Sequence, residues 1–302
     1  MADTIPAHYT TQFSTNWIHR LGQQKSRLDA FVESEDFDGE RKRFDRLGIV
    51  AMQERTERKA PTRITDVSDD SRWAVRASYD VANLLDKDDA KNLGQLVLPS
   101  SSYVMEHARA YNKKADDVAI ATALGSVLTG ELGTTATAFP TSTNYINTAG
   151  ALGTYSSGTS TGLTLAKLIL AKRVLDEADV DDEAPRVLVC TAKQIEDLLN
   201  VTEVKSADYN TVKALAAGQI DTFMGFKFVR IQRLGTESEN SITSRKCVAF
   251  VKGSIKLIKG EKKTDISIRK DLSMAIQIYS ECYFGGTRVH DEAVVKIGCK
   301  EA

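Results

Sequence analysis

Ser101–Leu128 reads SSYVMEHARAYNKKADDVAIATALGSVL and is the longest run in the chain with one consistent period. Val104, Ala108, Tyr111, Ala115, Val118, Thr122 and Gly125 recur at alternating steps of four and three, which puts a stripe of small or apolar groups on one helix face. Arg109, Lys113, Lys114, Asp116 and Asp117 fall on the other. Pro99 and Ser100 to Ser102 supply a start, and Gly125 to Gly130 an end. A helix of ~25 residues would be ~37 Å long. The mean globular helix has roughly 11 residues, so this one is predicted to be a beam spanning a domain. The five charged residues exclude a membrane span.

On the N-terminal side, Phe13, Trp17, Leu21, Leu28 and Val32 keep helical spacing in a polar background and predict an amphipathic helix that needs another surface. Ser34 to Gly39 reads as a solvated acidic turn. Its likeness to a calcium loop fails at Ser34, Lys42 and Asp45, the first, ninth and twelfth positions. Between residues 41 and 92 large apolar residues are few, and Phe44 to Gln53 and Arg72 to Tyr79 suit the limbs of a long hairpin. Eight basic residues lie between Arg41 and Arg63 against three acids, whereas Asp66 to Asp89 holds seven acids against three bases. An isolated hairpin is marginal in water. This arm therefore needs a neighbour, and the opposite charges of its limbs would set the docking register.

On the C-terminal side, Gly130 to Thr161 is rich in Gly, Thr, Ser and Ala and reads as a surface connection. Gly153 to Gly158 has the spacing of a phosphate loop but is followed by Thr159 in place of Lys. Leu163 to Ala178 predicts a helix facing inward through Leu165, Leu168, Ile169 and Leu175, and Arg186 to Cys190 a buried strand. Thr191 can cap a helix carrying Ile195, Leu198 and Leu199; Thr211 to Ala217 predicts another. Strands follow at Phe226 to Ile231, Val248 to Val251 and Thr264 to Lys270. Met274 to Phe284 alternates most strictly and ends at Gly285-Gly286, and Val289 to Cys299 predicts a last strand pairing with it.

A formal net charge of -1 on 302 residues argues against nucleic-acid affinity as the main task. Cys190, Cys247, Cys282 and Cys299 are widely spaced without a CxxC pair, which predicts buried free thiols and neither a zinc site nor a disulfide framework. The N-terminus lacks a secretory pattern, so folding in a cytoplasm is expected. HExxH, GxGxxG and GKS or GKT are all missing from the sequence, and no GxSxG nucleophile elbow, with its serine on a strand-to-helix turn, is predicted. His107 beside Glu106 and His290 beside Asp291 are the histidines next to a carboxylate, and adjacent residues do not share a face. No catalytic residue, cofactor site or metal site is predicted.

The order of parts is more informative than any one of them. Tyr111-Asn112-Lys113-Lys114-Ala115-Asp116 on the long helix, Arg186-Val187-Leu188-Val189-Cys190-Thr191 before a helix, and Tyr283-Phe284-Gly285-Gly286-Thr287-Arg288-Val289 followed by Ala293 to Ile297 resemble, in that order, the major capsid proteins of tailed double-stranded DNA phages. The resemblance implies an α+β, Hong Kong 97-like fold. It would have an N-terminal arm (1–40), an extended hairpin loop (41–92), a peripheral domain with the spine helix (93–144 and 244–302) and an α/β axial domain (145–243).

It also implies a subunit that assembles through hexamers and pentamers into an icosahedral head, made in the host cytoplasm and enclosing double-stranded DNA without tight specific binding. The partners implied are a separate scaffolding protein and a portal; decoration proteins are left open, and no membrane is involved. No motif around Lys59 supports a covalent crosslink. The predicted subunit contacts are Phe13, Trp17 and Leu21 in the arm, and Arg55, Arg58, Lys59, Arg63, Asp66, Asp69 and Asp70 in the loop. The alternatives are a nanocompartment shell of the encapsulin type and an α/β enzyme with its site at the edge of the Arg186 strand.

Overall fold

The computed structural model describes residues 23–48, 50–52, 54, 58, 64, 66–67, 69–85, 102–181, 183–200, 222–239 and 241–301. These fall into two compact units, a smaller one from residues 23–25, 79–85, 102–113 and 262–282 and a larger one from the rest. The long helix α1 (Ser102–Leu124) and the long strand β15 (Ala275–Arg288) each contribute residues to both.

In the larger unit, a mixed sheet runs in the order β7 (Tyr145–Ile146), β16 (Val294–Lys300), β12 (Ile242–Val251), β8 (Arg186–Cys190), β10 (Phe226–Arg230), β9 (Thr222–Phe223), with β11 (Thr236–Glu239) also on β12. Every residue of β8 is buried, as expected of a central strand covered on both faces. β10 lies parallel to β8 and β12 antiparallel to it. Helix α2 (Leu165–Glu177) starts at Thr164, whose hydroxyl accepts from the Lys167 amide, and buries Lys167, Leu168, Ala171, Val174 and Leu175. Helix α3 (Ala192–Asn200) follows Thr191 as expected, with the Gln194 carboxamide oxygen accepting from the Thr191 backbone N–H at 3.0 Å, a capping-box arrangement.

Several expectations are corrected. The last strand, β16, pairs with β12 and β7 and not with β15. β15 instead meets the unanticipated β13 (Ile255–Lys259) in its second half and β14 (Lys263–Arg269) in its first. Gly285-Gly286 does not end β15. A Cβ on Gly285 would stand 2.4 Å from the Val75 carbonyl oxygen, and one on Gly286 2.5 Å from Thr122 Oγ1, so the glycines admit close neighbours while the strand continues. Ser34 to Asp36 is no turn but part of β1 (Glu33–Asp36), parallel to β13. Gly130 to Thr161 is more than a surface connection: Phe139, Tyr145, Ile146, Asn147 and Thr148 are buried there. Ile169, expected to face inward on α2, is half exposed. The expected helix at Thr211 to Ala217 lies outside the described residues.

The buried stripe of α1 also differs from the expected one. Ala115, Asp116, Ala119 and Ala123 are the buried residues of its second half. Asp116, assigned to the polar face, is fully buried: it accepts from Ser26 Oγ at 2.6 Å and from the backbone N–H groups of Arg27 and Leu28 at 3.1 Å each. Residues 23–32 are accordingly not helical, and Leu28 and Val32 enter the main core from a turn. The far end of α1 is closed by the buried Arg288, which donates through Nη1 to the Ala123 and Gly125 carbonyls at 2.9 and 3.0 Å. A cation there also meets the negative end of the helix dipole.

Candidate functional site

The charged hairpin is built from β2 (Arg41–Leu47) and β3 (Asp69–Val75), paired antiparallel from Arg41 opposite Val75 to Leu47 opposite Asp69. After Arg76 the chain continues as β4 (Ala77–Leu85), which pairs with β15. The base of the hairpin is anchored within its own chain. β3 pairs with β5 (Val127–Thr129), which in turn pairs with β6 (Thr135–Thr137). Trp73 Nε1 and Ser71 Oγ both donate to the Gly130 carbonyl, at 2.7 and 2.9 Å. Gly133, with a positive φ of 63°, leaves room for the Trp73 indole, which a Cβ would meet at 2.6 Å.

Arginines and carboxylates lock this base further. Arg72 is buried, with its guanidinium 3.1 Å from Asp70 and 2.8 Å from Asp291. Asp291 also takes Arg288 at 2.5 Å, and Arg46 reaches Glu292 at 3.2 Å. With the His290 ring beside it, and Arg46 adding its charge, the Glu292 carboxyl is held down at about 2. Buried cations are tolerated only with such pairing. Sequence reading missed the network because Arg72 and Asp291 are far apart along the chain.

Beyond the base the picture changes. Leu47, Val50 and Ile64 are exposed to 77, 56 and 89%, and Met52 is fully exposed. Apolar groups this open in one loop mark a contact surface. Arg58, Asp66 and Asp69 are exposed, whereas Asp70 is partly occupied by Arg72 and, at 3.7 Å, by Arg46. Phe13, Trp17, Leu21, Arg55, Lys59 and Arg63 lie outside the described residues. The exposed aliphatic residues are the part of the candidate surface that a reading of charge overlooked.

The scattered titratable groups have structural surroundings. Glu106 pairs with Arg109 and not with His107. His290 is 3.6 Å from Glu292. Cys190, Cys247 and Cys299 are buried free thiols, Cys282 is partly buried, and burial pushes Cys190 up to about 12. The buried Lys167 ammonium donates to the carbonyls of Thr161, Gly162 and Gly298 at 2.8, 3.0 and 2.9 Å. Among the described residues no group of three or more His, Cys, Asp or Glu is placed to hold a metal, and no helix is long and apolar enough to cross a membrane.

A model of the phage capsid protein family matches residues 5–301. The chain belongs to the phage capsid protein family. Its function is that of a phage major capsid protein, a structural subunit. No curated protein matches the chain. Its fold is similar to that of a Mycobacterium phage Che8 structure, with a TM-score of 0.71 at 16% identity over 98% of each chain. The cyanophage Pam1 capsid aligns over 100% of both chains with a TM-score of 0.70 at 14% identity. The head of Helicobacter pylori bacteriophage KHP40 aligns over 96% of this chain and 95% of its own, with a TM-score of 0.66 at 9% identity. At such identities the likeness is one of fold; the match to the phage capsid protein family does not favour the nanocompartment alternative.

Proposed function

We propose that this capsid subunit follows the Hong Kong 97-like plan and assembles through hexamers and pentamers into an icosahedral head around double-stranded DNA. In this reading residues 1–40 are an arm, 41–92 an extended loop, 93–144 and 244–302 a peripheral domain and 145–243 an axial domain. The observation that carries the reading is the hairpin. Its base is tied to its own chain by Arg72 and Asp291, while Leu47, Met52 and Ile64 beyond it are open to solvent. Such a projection buries its apolar groups only by lying across a neighbouring copy, where Arg55, Arg58, Lys59, Arg63, Asp66 and Asp69 set the register.

The arm works in the same way through Phe13, Trp17 and Leu21. A separate scaffolding protein and a portal complete the head, and the DNA is confined without tight binding, in keeping with a net charge of -1. Electron microscopy of the expressed chain tests the proposal: closed shells are expected, and a chain lacking residues 1–22 should fold but assemble poorly. A subunit that stays monomeric under all assembly conditions, or a truncated chain that forms normal shells, would count against it.

A further inference from the structure

His107, on the first half of α1, is 4% exposed. Its Nδ1 lies 2.9 Å from Ser280 Oγ on β15, and that hydroxyl lies 3.1 Å from Thr264 Oγ1 on β14. The imidazole thus ties the helix to β15 directly and to β14 through the Ser280 hydroxyl. On the other side of the ring Nε2 is buried with no hydrogen-bond partner among the described residues. Among the described residues the apolar core here is small: Ile278 is fully buried, with Tyr103, Val104, Ile266 and Ile276 packed partly against it. The seat of the helix therefore depends heavily on the histidine.

The charges around the ring make it a poor place for a proton. Lys262, at the entry to β14, holds its ammonium 4.9 Å from the Tyr111 ring, one helical turn beyond His107, and its field reaches the imidazole. On the helix itself Glu106 is engaged by Arg109. Strand alternation puts Lys263, Asp265, Tyr279 and Glu281 on the faces opposite Thr264 and Ser280, with Cys282 on the Ser280 face. On β4, Tyr79 is partly buried and Asp80 exposed. A second ring proton would place a charged N–H at the buried Nε2 with no acceptor and with Lys262 repelling it.

We propose that His107 is a proton-operated latch: neutral, it seats the first half of α1 on the β14–β15 ribbon, and protonation releases that seat. Burial first, and Lys262 second, hold the imidazole below its ordinary value. In an opened state the ring would titrate at about 6.5. Below that pH the opened state binds more protons than the closed one, so acid favours opening, and the latch is at full strength above it.

The test uses the full chain as isolated subunits, with histidine-selective labelling, and does not depend on shell assembly. The NMR titration of His107 is assigned by elimination with H8Q, H19Q and H290Q. Its midpoint should fall below that of a free imidazole, and K262Q should raise it. Hydrogen exchange of residues 102–113 and 263–282, corrected for the intrinsic effect of pH, should quicken about tenfold between about pH 7.5 and about pH 5.5. In H107Q that response should vanish. A midpoint at or above the ordinary value, no response to K262Q, or acid-enhanced exchange that persists in H107Q overturns the latch. Should H107Q fail to fold, the parent titration and K262Q decide the matter alone.

Discussion

Replacing Asp116 with alanine removes the acceptor that organises three successive donors, Ser26 Oγ and the N–H groups of Arg27 and Leu28. Hydrogen bonds to a charged acceptor contribute roughly 1.5–3 kcal/mol each. The Ser26 and Arg27 donors lie near enough to solvent to recover water, so most of their share is offset. The Leu28 N–H has no such recourse, because Leu28 is only 2% exposed. Losing that bond costs about 2 kcal/mol, and loosening Leu28 and Val32 from the core should add about 2 kcal/mol more.

A total near 4 kcal/mol is a large share of a typical stability of about 5–15 kcal/mol. Asp116→Asn keeps one acceptor oxygen and should lose about 1–2 kcal/mol. Urea unfolding of dissociated subunits, followed by circular dichroism, measures both, and hydrogen exchange over residues 26–32 locates the effect. If D116A unfolds within about 0.5 kcal/mol of the parent, or loses stability while residues 26–32 stay as protected as before, the argument that this carboxylate seats the chain is refuted.

Gly285→Ala should destabilise the subunit by about 1–3 kcal/mol, because the added methyl would stand 2.4 Å from a backbone oxygen, that of Val75; an unchanged urea midpoint would contradict this. Glu292 titrates at about 2 in the folded chain, held down chiefly by His290 and further by Arg46. Its contribution is therefore present above the ordinary carboxylate value and is lost as pH falls toward about 2. The group is 47% exposed, so E292Q should remove only about 1 kcal/mol and flatten the acid limb of the stability profile; an identical acid limb would disprove the assignment. Reversing Arg55, Arg58 and Arg63 to Glu should leave subunit melting unchanged but weaken shell assembly, most visibly at low salt. Equal assembly across ionic strengths, read by light scattering, would show that the exposed aliphatic residues of the loop suffice without charge docking.

The features legible in the order of amino acids were local and periodic. The α1 helix, the fully buried β8, the Thr191 cap, the alternating β15 and the existence of a hairpin were legible, because each depends on near neighbours repeating every two or every three to four residues; the limbs of the hairpin are Arg41–Leu47 and Asp69–Val75 in place of the expected Phe44 to Gln53 and Arg72 to Tyr79. Their order was enough to reveal the resemblance to phage capsid proteins. The tertiary structure decided the rest, wherever a residue's role is set by something distant in the chain. Asp116 looks like solvated charge until three donors from residues 26–28 close on it. Gly285 and Gly286 look like a strand end until Val75 and Thr122 approach them. Arg72 looks like one surface charge among many, yet Asp291 makes its burial possible. The partner of β16 was equally hidden: β15 is nearer in sequence, but Val294 to Cys299 are buried on both faces of the strand, as befits a place inside the sheet between β12 and β7. Periodicity records which face of an element is apolar. Which surface covers that face, and which lone charge it takes inside, is settled by packing between segments far apart in the chain.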